Sequence, residues 1–249
     1  MLCRLTARCW WMPGSHDTDR PSLGCVRGDR LTLMVDSGNS PGHHQRMLRA
    51  MAEQGLGAPQ LIALTHSHWD HTFGLCASAA LAVACRETQA QLRRMAAWAW
   101  TREAMAHRLE TGEDIPFCHE NICREYPDPT AIRVRTADVV FDRRLDIDLG
   151  GVHAQLIRLE NSHAADCVIV CVPEEKVVYL GDISYEDLHH RPPCWHLQRR
   201  AALLAALDRL DFAWAVPGHQ DAMPRDAFFR DAEAALAEDR AAGKLMLPD

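Results

Sequence analysis

Thr65-His66-Ser67-His68-Trp69-Asp70-His71 places three imidazoles and a carboxylate within six residues, a density that metal coordination explains and packing does not. The segment follows the apolar run Leu61-Ile62-Ala63-Leu64, which reads as a buried strand, so the cluster falls on a loop at a strand end. Such loops are where α/β proteins carry chemistry. His66 and His68 are two apart, so in an extended segment both side chains point the same way and can close on one ion. Asp70 and His71 follow where the chain turns and can reach a second. Imidazole nitrogen and carboxylate oxygen are ligands suited to zinc, and the cluster holds no Cys of the kind that builds closed structural sites.

Working outward from this segment, residues 3–11 and 26–35 read as strands on either side of the turn-rich stretch 13–21, and Asp36-Ser37-Gly38-Asn39 follows the second of them. Residues 42–54 are helical in character, so 26–64 has a β-α-β pattern with metal-type residues at its end. Residues 87–109 put Leu92, Met95 and Ala99 at helical spacing, with Trp98, Met105 and Leu109 on a neighbouring face. This predicts one long helix or a helical pair, set as an insertion at about 87–112 in an α/β fold. Pro116, Pro127 and Pro129 then break regular structure before a strand-rich half with strands over 132–134, 139–141, 145–149 and 152–159. A hairpin over 167–180, a helix over 197–207, a strand over 212–216 and a closing helix over 228–236 complete the pattern. No repeat or low-complexity linker interrupts it, so a single domain over 1–249 is expected.

The 249 residues carry 47% hydrophobic side chains, enough for a substantial core, and a formal net charge of -7 without a dense Lys/Arg tract. Neither nucleic acid nor an anionic membrane is an expected partner. The amino terminus has scattered Arg and no sustained apolar region, so a cytoplasmic protein is expected. The ten cysteines include no C-x-x-C pair and read mostly as small buried apolar residues. Cys118 and Cys123, with His119 between them, are a candidate second metal group of unusual spacing.

The His66 to His71 segment resembles the H-x-H-x-D-H motif of the metallo-β-lactamase superfamily. The family's remaining motifs appear in the same order as Asp36 in Val35-Asp36-Ser37-Gly38, His163, Asp182 in Gly181-Asp182, and His219 in Pro217-Gly218-His219. The resemblance spans nearly the whole chain. It implies a four-layer αβ/βα sandwich in which His66, His68 and His163 hold one metal and Asp70, His71 and His219 the other, with Asp182 between them. Asp36 would orient the metal loop through hydrogen bonds without binding metal. Two zinc ions are implied, iron or manganese being the other metals that such ligands accept.

What this implies is a hydrolase in which a metal-bridging hydroxide attacks a small ester, lactone, thioester or lactam, with Asp70 orienting the hydroxide. Tyr185 stands where lactonases of the superfamily carry a tyrosine that donates to the developing oxyanion. Asp166 follows His163 by three positions, as in the β-lactamase form of that motif, whereas Asp182 occupies the place where one lactamase class has a Cys ligand. Substrate contacts are expected from His16, from Trp98 and Trp100, and from residues 186–190. An apolar insertion bearing Trp and Met fits a lid or a homodimer surface equally well. The alternatives are a mononuclear iron persulfide dioxygenase and a phosphodiesterase.

Overall fold

Two β-sheets face each other, and period-two alternation along their strands decides what each face meets. The computed structural model describes residues 1–248. Seven strands form the first sheet in sequence order: β1 (Cys3–Arg4), β2 (Cys9–Met12), β3 (Leu23–Arg27), β4 (Thr32–Val35), β5 (Leu61–Ala63), β6 (Leu81–Cys85) and β7 (Val139–Phe141). The pairing is antiparallel from β1 to β4 and parallel from β4 to β7. The second sheet joins β8 (Arg144–Asp148), β9 (His153–Arg158), β10 (Val168–Val172) and β11 (Val177–Gly181) antiparallel. β13 (Trp214–Pro217) lies parallel to β11, and β14 (Met223–Pro224) completes the edge. Between β11 and β13 in sequence comes β12 (Cys194–His196), which pairs in parallel with the carboxy-terminal β15 (Leu245–Leu247) as a separate small ribbon.

Leu33 and Val35 of β4 face the second sheet and pack in one buried cluster with Leu156, Val170 and Tyr179. Met34 between them faces outward, against Met47 and Met51 of helix α1 (Pro41–Glu53). The second sheet shows the same division: Val170 points in, while Ile169 and Cys171 point out against Leu203, Leu207 and Phe228. Those three belong to the helices that cover its outer face. The layers therefore run helix, sheet, sheet, helix, as expected, and full burial of each large aliphatic side chain contributes about 1.5–3 kcal/mol.

The helices follow from local sequence. Ser40 caps α1 by accepting from His43 N–H, with Pro41 at the first helical position, where a missing N–H costs nothing. After β5 comes the short α2 (Trp69–Thr72), and after β6 come α3 (Arg86–Ala96), α4 (Arg102–Thr111) and α5 (Pro116–Glu125). α6 (Leu197–Asp208) and α7 (Arg225–Ala241) cover the second sheet.

The structure corrects several expectations. The helical insertion does not stop at 112, because Pro116 opens α5 as its first residue instead of breaking structure. No strand forms over 132–134; Ile132 instead packs into the insertion's own core with Trp69, Phe73, Trp100, Met105 and Ile122. The stretches expected as continuous strands over 3–11 and 26–35 are each divided, the second by the turn at 28–31 between β3 and β4. Among the described residues no helix is long and apolar enough to cross a membrane.

Candidate metal centre

The carboxyl ends of β4 and β5 in one sheet and of β11 and β13 in the other meet at one edge of the sandwich, and each delivers a polar residue there. β4 leads to Asp36, β5 to the segment 66–71, β11 to Asp182 and β13 to His219, while His163 comes from the loop between β9 and β10. The crevice beyond the carboxyl ends of strands is the usual ligand position in open α/β sheets. Two glycines permit the approach. Gly181 has φ +52, and a Cβ there would lie 2.5 Å from Thr65 Oγ1; a Cβ on Gly218 would lie 1.9 Å from Asp182 Oδ1.

The sequence-predicted ligands fall into two groups, His66, His68 and His163 in one and Asp70, His71, Asp182 and His219 in the other. Within each group the ligand atoms lie within 4.8 Å of one another. His163 Nε2 is 3.0 Å from His68 Nδ1. Asp70 Oδ2 is 3.1 Å from both His71 Nε2 and His219 Nε2. Asp182 lies between the groups: Oδ1 is 3.3 Å from His71 Nε2, and Oδ2 is 3.3 Å from His219 Nε2, 3.6 Å from His163 Nε2 and 4.0 Å from His66 Nε2. Nitrogen and oxygen ligands 2.0–2.2 Å from a tetrahedral ion stand about 3.4 Å apart, the scale of these separations.

Three buried side-chain atoms at the centre that lack hydrogen-bond partners fit cations. His66 Nε2, His71 Nε2 and Asp182 Oδ1 have none among the described residues, and each points into the cluster. Such orphaned groups cost free energy that coordination removes. Three imidazoles have their other nitrogen held. His71 Nδ1–H donates to Asp36 Oδ2 at 2.8 Å, and His163 Nδ1–H donates to the Glu186 carbonyl at 3.0 Å. Thr65 Oγ1–H donates to Asp36 Oδ2 at 2.8 Å, which leaves its oxygen to accept from His66 Nδ1–H at 3.1 Å. In the neutral ring each bond places the lone pair on Nε2, facing the centre.

Asp36 is the hub of that support, since Oδ1 also accepts from Thr65 N–H at 2.7 Å. Its φ of 59 lies in the left-handed region, which Asp tolerates and which occurs preferentially at functional positions. Asp166 does a parallel job: its carboxylate accepts from Ser67 N–H and Thr88 Oγ1–H, both at 2.9 Å, which fixes the metal loop against α3.

Charge follows burial and partners. Burial drives the His66 and His68 pKa well below the ordinary value, which keeps both imidazoles neutral as ligands must be. Burial also opposes charge at His71 and His219, but Asp182 and Asp70 outweigh it and hold both well above the usual histidine range, so the Nε2 protons of these two rings are the ones a bound cation would displace. Desolvation likewise opposes the Asp182 and Asp70 carboxylates, and the same two imidazoles overcome it and hold both well below theirs.

Tyr185 reaches the centre. Its hydroxyl oxygen accepts from His219 N–H at 3.2 Å, leaving the phenolic proton available, and burial raises its pKa so that the proton stays on. His16, Glu186 and His189 line a cavity of about 230 Å³ directly over the ligands. Trp98 and Trp100 line an adjoining cavity of about 480 Å³ with Trp69, Phe73 and Met95, and His68 and His163 form part of its wall. His190 turns away, its ring nitrogen 2.7 Å from the Pro192 carbonyl. Cys118, His119 and Cys123 do not form a ligand group: α5 carries Cys123 Sγ to 3.8 Å from His119 Nε2 but directs Cys118 into the cavity walls.

Sequence reasoning missed Asp19, whose Oδ1 lies 3.5 Å from His219 Nδ1. Burial and the neighbouring Asp70 carboxylate push its pKa up to about 7. Its loop is anchored by Glu125 of α5, which accepts from Thr18 Oγ1 at 2.5 Å and Arg20 Nη2 at 2.8 Å. An aspartate in a turn-rich stretch carries no periodic signal. The Glu186 carbonyl was equally invisible, because backbone acceptors have no residue signature.

A fold and ligand arrangement of this kind define a metal-dependent hydrolase-like scaffold, and comparison with known proteins identifies it. The sequence pattern of the metallo-beta-lactamase superfamily matches residues 22–219, and the chain belongs to that superfamily. Among solved structures it is similar to a metallo-beta-lactamase from Pontibacter korlensis, with a TM-score of 0.64 and 14% identity over 94% of this chain and 97% of that one. It is also similar to the stereoselective inverting sec-alkylsulfatase Pisa1 from Pseudomonas sp., with a TM-score of 0.69 and 14% identity over 94% of this chain and 40% of the sulfatase. The mono-zinc form of the metallo-beta-lactamase FIM-1 from Pseudomonas aeruginosa aligns with a TM-score of 0.60 and 14% identity, over 94% of this chain and 95% of that one. A comparison with curated proteins returns no match.

Proposed function

We propose that this chain is a dinuclear zinc hydrolase acting on a small ester, lactone, thioester or lactam with an apolar or aromatic body. The observation that carries the reading is Asp182, whose two oxygens face both ligand groups at once. His66, His68 and His163 would hold one ion and Asp70, His71 and His219 the other. Two bound cations supply a shared water of lowered pKa and a Lewis acid for the scissile carbonyl.

The chain's own residues do the rest. Asp70, facing His71 and His219, is placed to orient the nucleophile. Tyr185, with its hydroxyl oxygen occupied by His219 N–H, is left to donate its proton toward an oxyanion over the centre. Trp98, Trp100, Phe73 and Met95 offer an apolar wall next to His68, and the 480 Å³ space matches a small organic molecule. Of the carboxylates in that wall, Glu113 pairs with Arg94 and Glu87 with Arg158, so among the described residues the cavity offers no cluster of free cations for a phosphodiester and suits a neutral substrate.

Parallel assays with lactones, thioesters, β-lactams and aryl phosphodiesters, run on zinc-loaded protein, chelator-stripped protein and the His68→Ala and Asp70→Ala variants, test the reading. Carbonyl-substrate turnover lost in the last three supports it. Full activity of stripped protein or of either variant overturns it.

A further inference from the structure

The loop after Asp182 and the strand that closes it bring a third set of donors together, outside the centre described above. Asp187, Cys194 and His196 each offer a ligand atom within 4.8 Å of the others. All three converge on one point, because His196 Nε2 faces both partners. It lies 3.8 Å from Cys194 Sγ and 3.5 Å from Asp187 Oδ2. A relay of the Cys-His-Asp kind would use opposite ring nitrogens; here both partners share one.

The separations suit ligands better than hydrogen-bond partners. N–H···O bonds run about 2.7–3.2 Å, so 3.5 Å is long for a bond between His196 and Asp187. A tetrahedral zinc with sulfur at 2.3 Å, nitrogen at 2.0–2.1 Å and oxygen at 2.0–2.2 Å sets its S···N edge at about 3.6 Å and its N···O edge at about 3.4 Å. The observed edges of 3.8 and 3.5 Å need only slight contraction to meet those values.

The surrounding backbone builds the cluster. Asp187 and Cys194 pair through reciprocal N–H to carbonyl bonds of 2.8 and 3.0 Å, which close the loop between them. Asp187 Oδ1 accepts from His189 N–H and His190 N–H, both at 2.9 Å, so that Oδ2 is the oxygen left facing His196. β12 holds Cys194 and His196 on one face, two residues apart, against β15. The nearby Lys244 ammonium is engaged by Glu186 at 2.6 Å and Asp239 at 2.9 Å. Cys194 is buried, while Asp187 and His196 are half-buried, which leaves a solvent molecule room as a fourth ligand.

We propose that Asp187, Cys194 and His196 form a third metal site, a zinc-class clip separate from the catalytic pair. On binding, the Cys194 thiol proton leaves to solvent and the thiolate, the imidazole and the carboxylate coordinate the ion. The clip closes the loop that carries Tyr185 and the Glu186 carbonyl, the acceptor for His163. Its role is to fix that loop. Among the donors of the main centre there is no sulfur, so the two kinds of site are spectroscopically distinct.

The test is cobalt loading of the full chain with metal counting. The expected result is three ions per chain and a thiolate-to-cobalt charge-transfer band in the near ultraviolet. Both the band and one ion are lost in Cys194→Ser and in His196→Gln, while two ions remain. A wild-type protein that takes up only two ions with no thiolate band overturns the proposal, as does a band that persists in folded Cys194→Ser. A wild type without the band overturns the proposal whatever the variants do, and two variants at different positions, each checked for its fold by circular dichroism, assign a band that is present to this cluster. The thiolate band and the single ion lost with it are independent of the hydrolase reading, on which only the total of three ions rests.

Discussion

Replacing Asp36 with Asn leaves the backbone untroubled, since Asn also tolerates the left-handed φ of 59 found there. The side chain keeps one oxygen for Thr65 N–H but turns an amide NH2 toward the Thr65 hydroxyl and His71 Nδ1, both 2.8 Å from Oδ2 in the native chain. The hydroxyl can rotate and accept. His71 cannot, because its Nδ1–H now faces a donor and must give way by rotating the ring or moving the proton to Nε2. Either change removes the lone pair that faces Asp70 and Asp182. Losing such an orienting partner typically weakens a metal site 10–100-fold, about 1.4–2.7 kcal/mol. The expected effect is therefore a loss of that size for one ion, with the ion at His66, His68 and His163 weakened only a few-fold through Thr65. Zinc titration against a chromophoric chelator, with urea unfolding as a check on the fold, resolves the two affinities. Unchanged affinity for both ions, or equal loss at both, would refute the reasoning.

Further outcomes follow from other contacts. Gly218→Ala places a Cβ 1.9 Å from Asp182 Oδ1, so metal content measured by elemental analysis should fall while the buried sheets keep their circular dichroism. Tyr185→Phe removes an oxyanion donor and should lower kcat by roughly 10²–10³-fold with KM little changed; an unchanged kcat removes the tyrosine from the mechanism. Trp98→Ala opens the apolar wall and should raise KM for bulky substrates more than for small ones, measured over a series of acyl chain lengths. His43, buried with Nδ1 accepting from Asn39 N–H, has its pKa pushed down to about 3, first by burial and then by Arg20 and Arg46. Its folded pKa lies below the unfolded value of about 6.5, so its contribution to stability is complete above that pH and is lost at ~1.4 kcal/mol per unit as pH falls toward 3. Urea midpoints between pH 7.5 and 5 should fall less steeply in His43→Gln than in the wild type.

The residues legible in the sequence are those whose side chains meet the centre directly. His66, His68, Asp70 and His71 announce themselves by density, and Asp36, His163, Asp182 and His219 by matching, in order, the remaining motifs of the superfamily. The helix-sheet-sheet-helix layering was legible only through the resemblance to the superfamily, since Leu33, Met34 and Val35 are all apolar and their alternation between two buried faces shows only in the fold. What escaped depends on partners distant in sequence. Leu81–Cys85 is a central strand whose alanines carry little β signal, and only its parallel pairing with β5 and β7 makes it one. Cys194–His196 becomes a strand by pairing with residues some fifty positions later. Pro116 reads as a breaker until its place at the first turn of a helix is known.

Anomalous diffraction from zinc-loaded crystals tests the two-ion centre most directly. The account predicts two peaks about 3.5–4 Å apart, one among His66, His68 and His163, the other among Asp70, His71 and His219, with Asp182 between them. A single peak at full zinc loading, or a pair of peaks that Asp182 does not join, would contradict it.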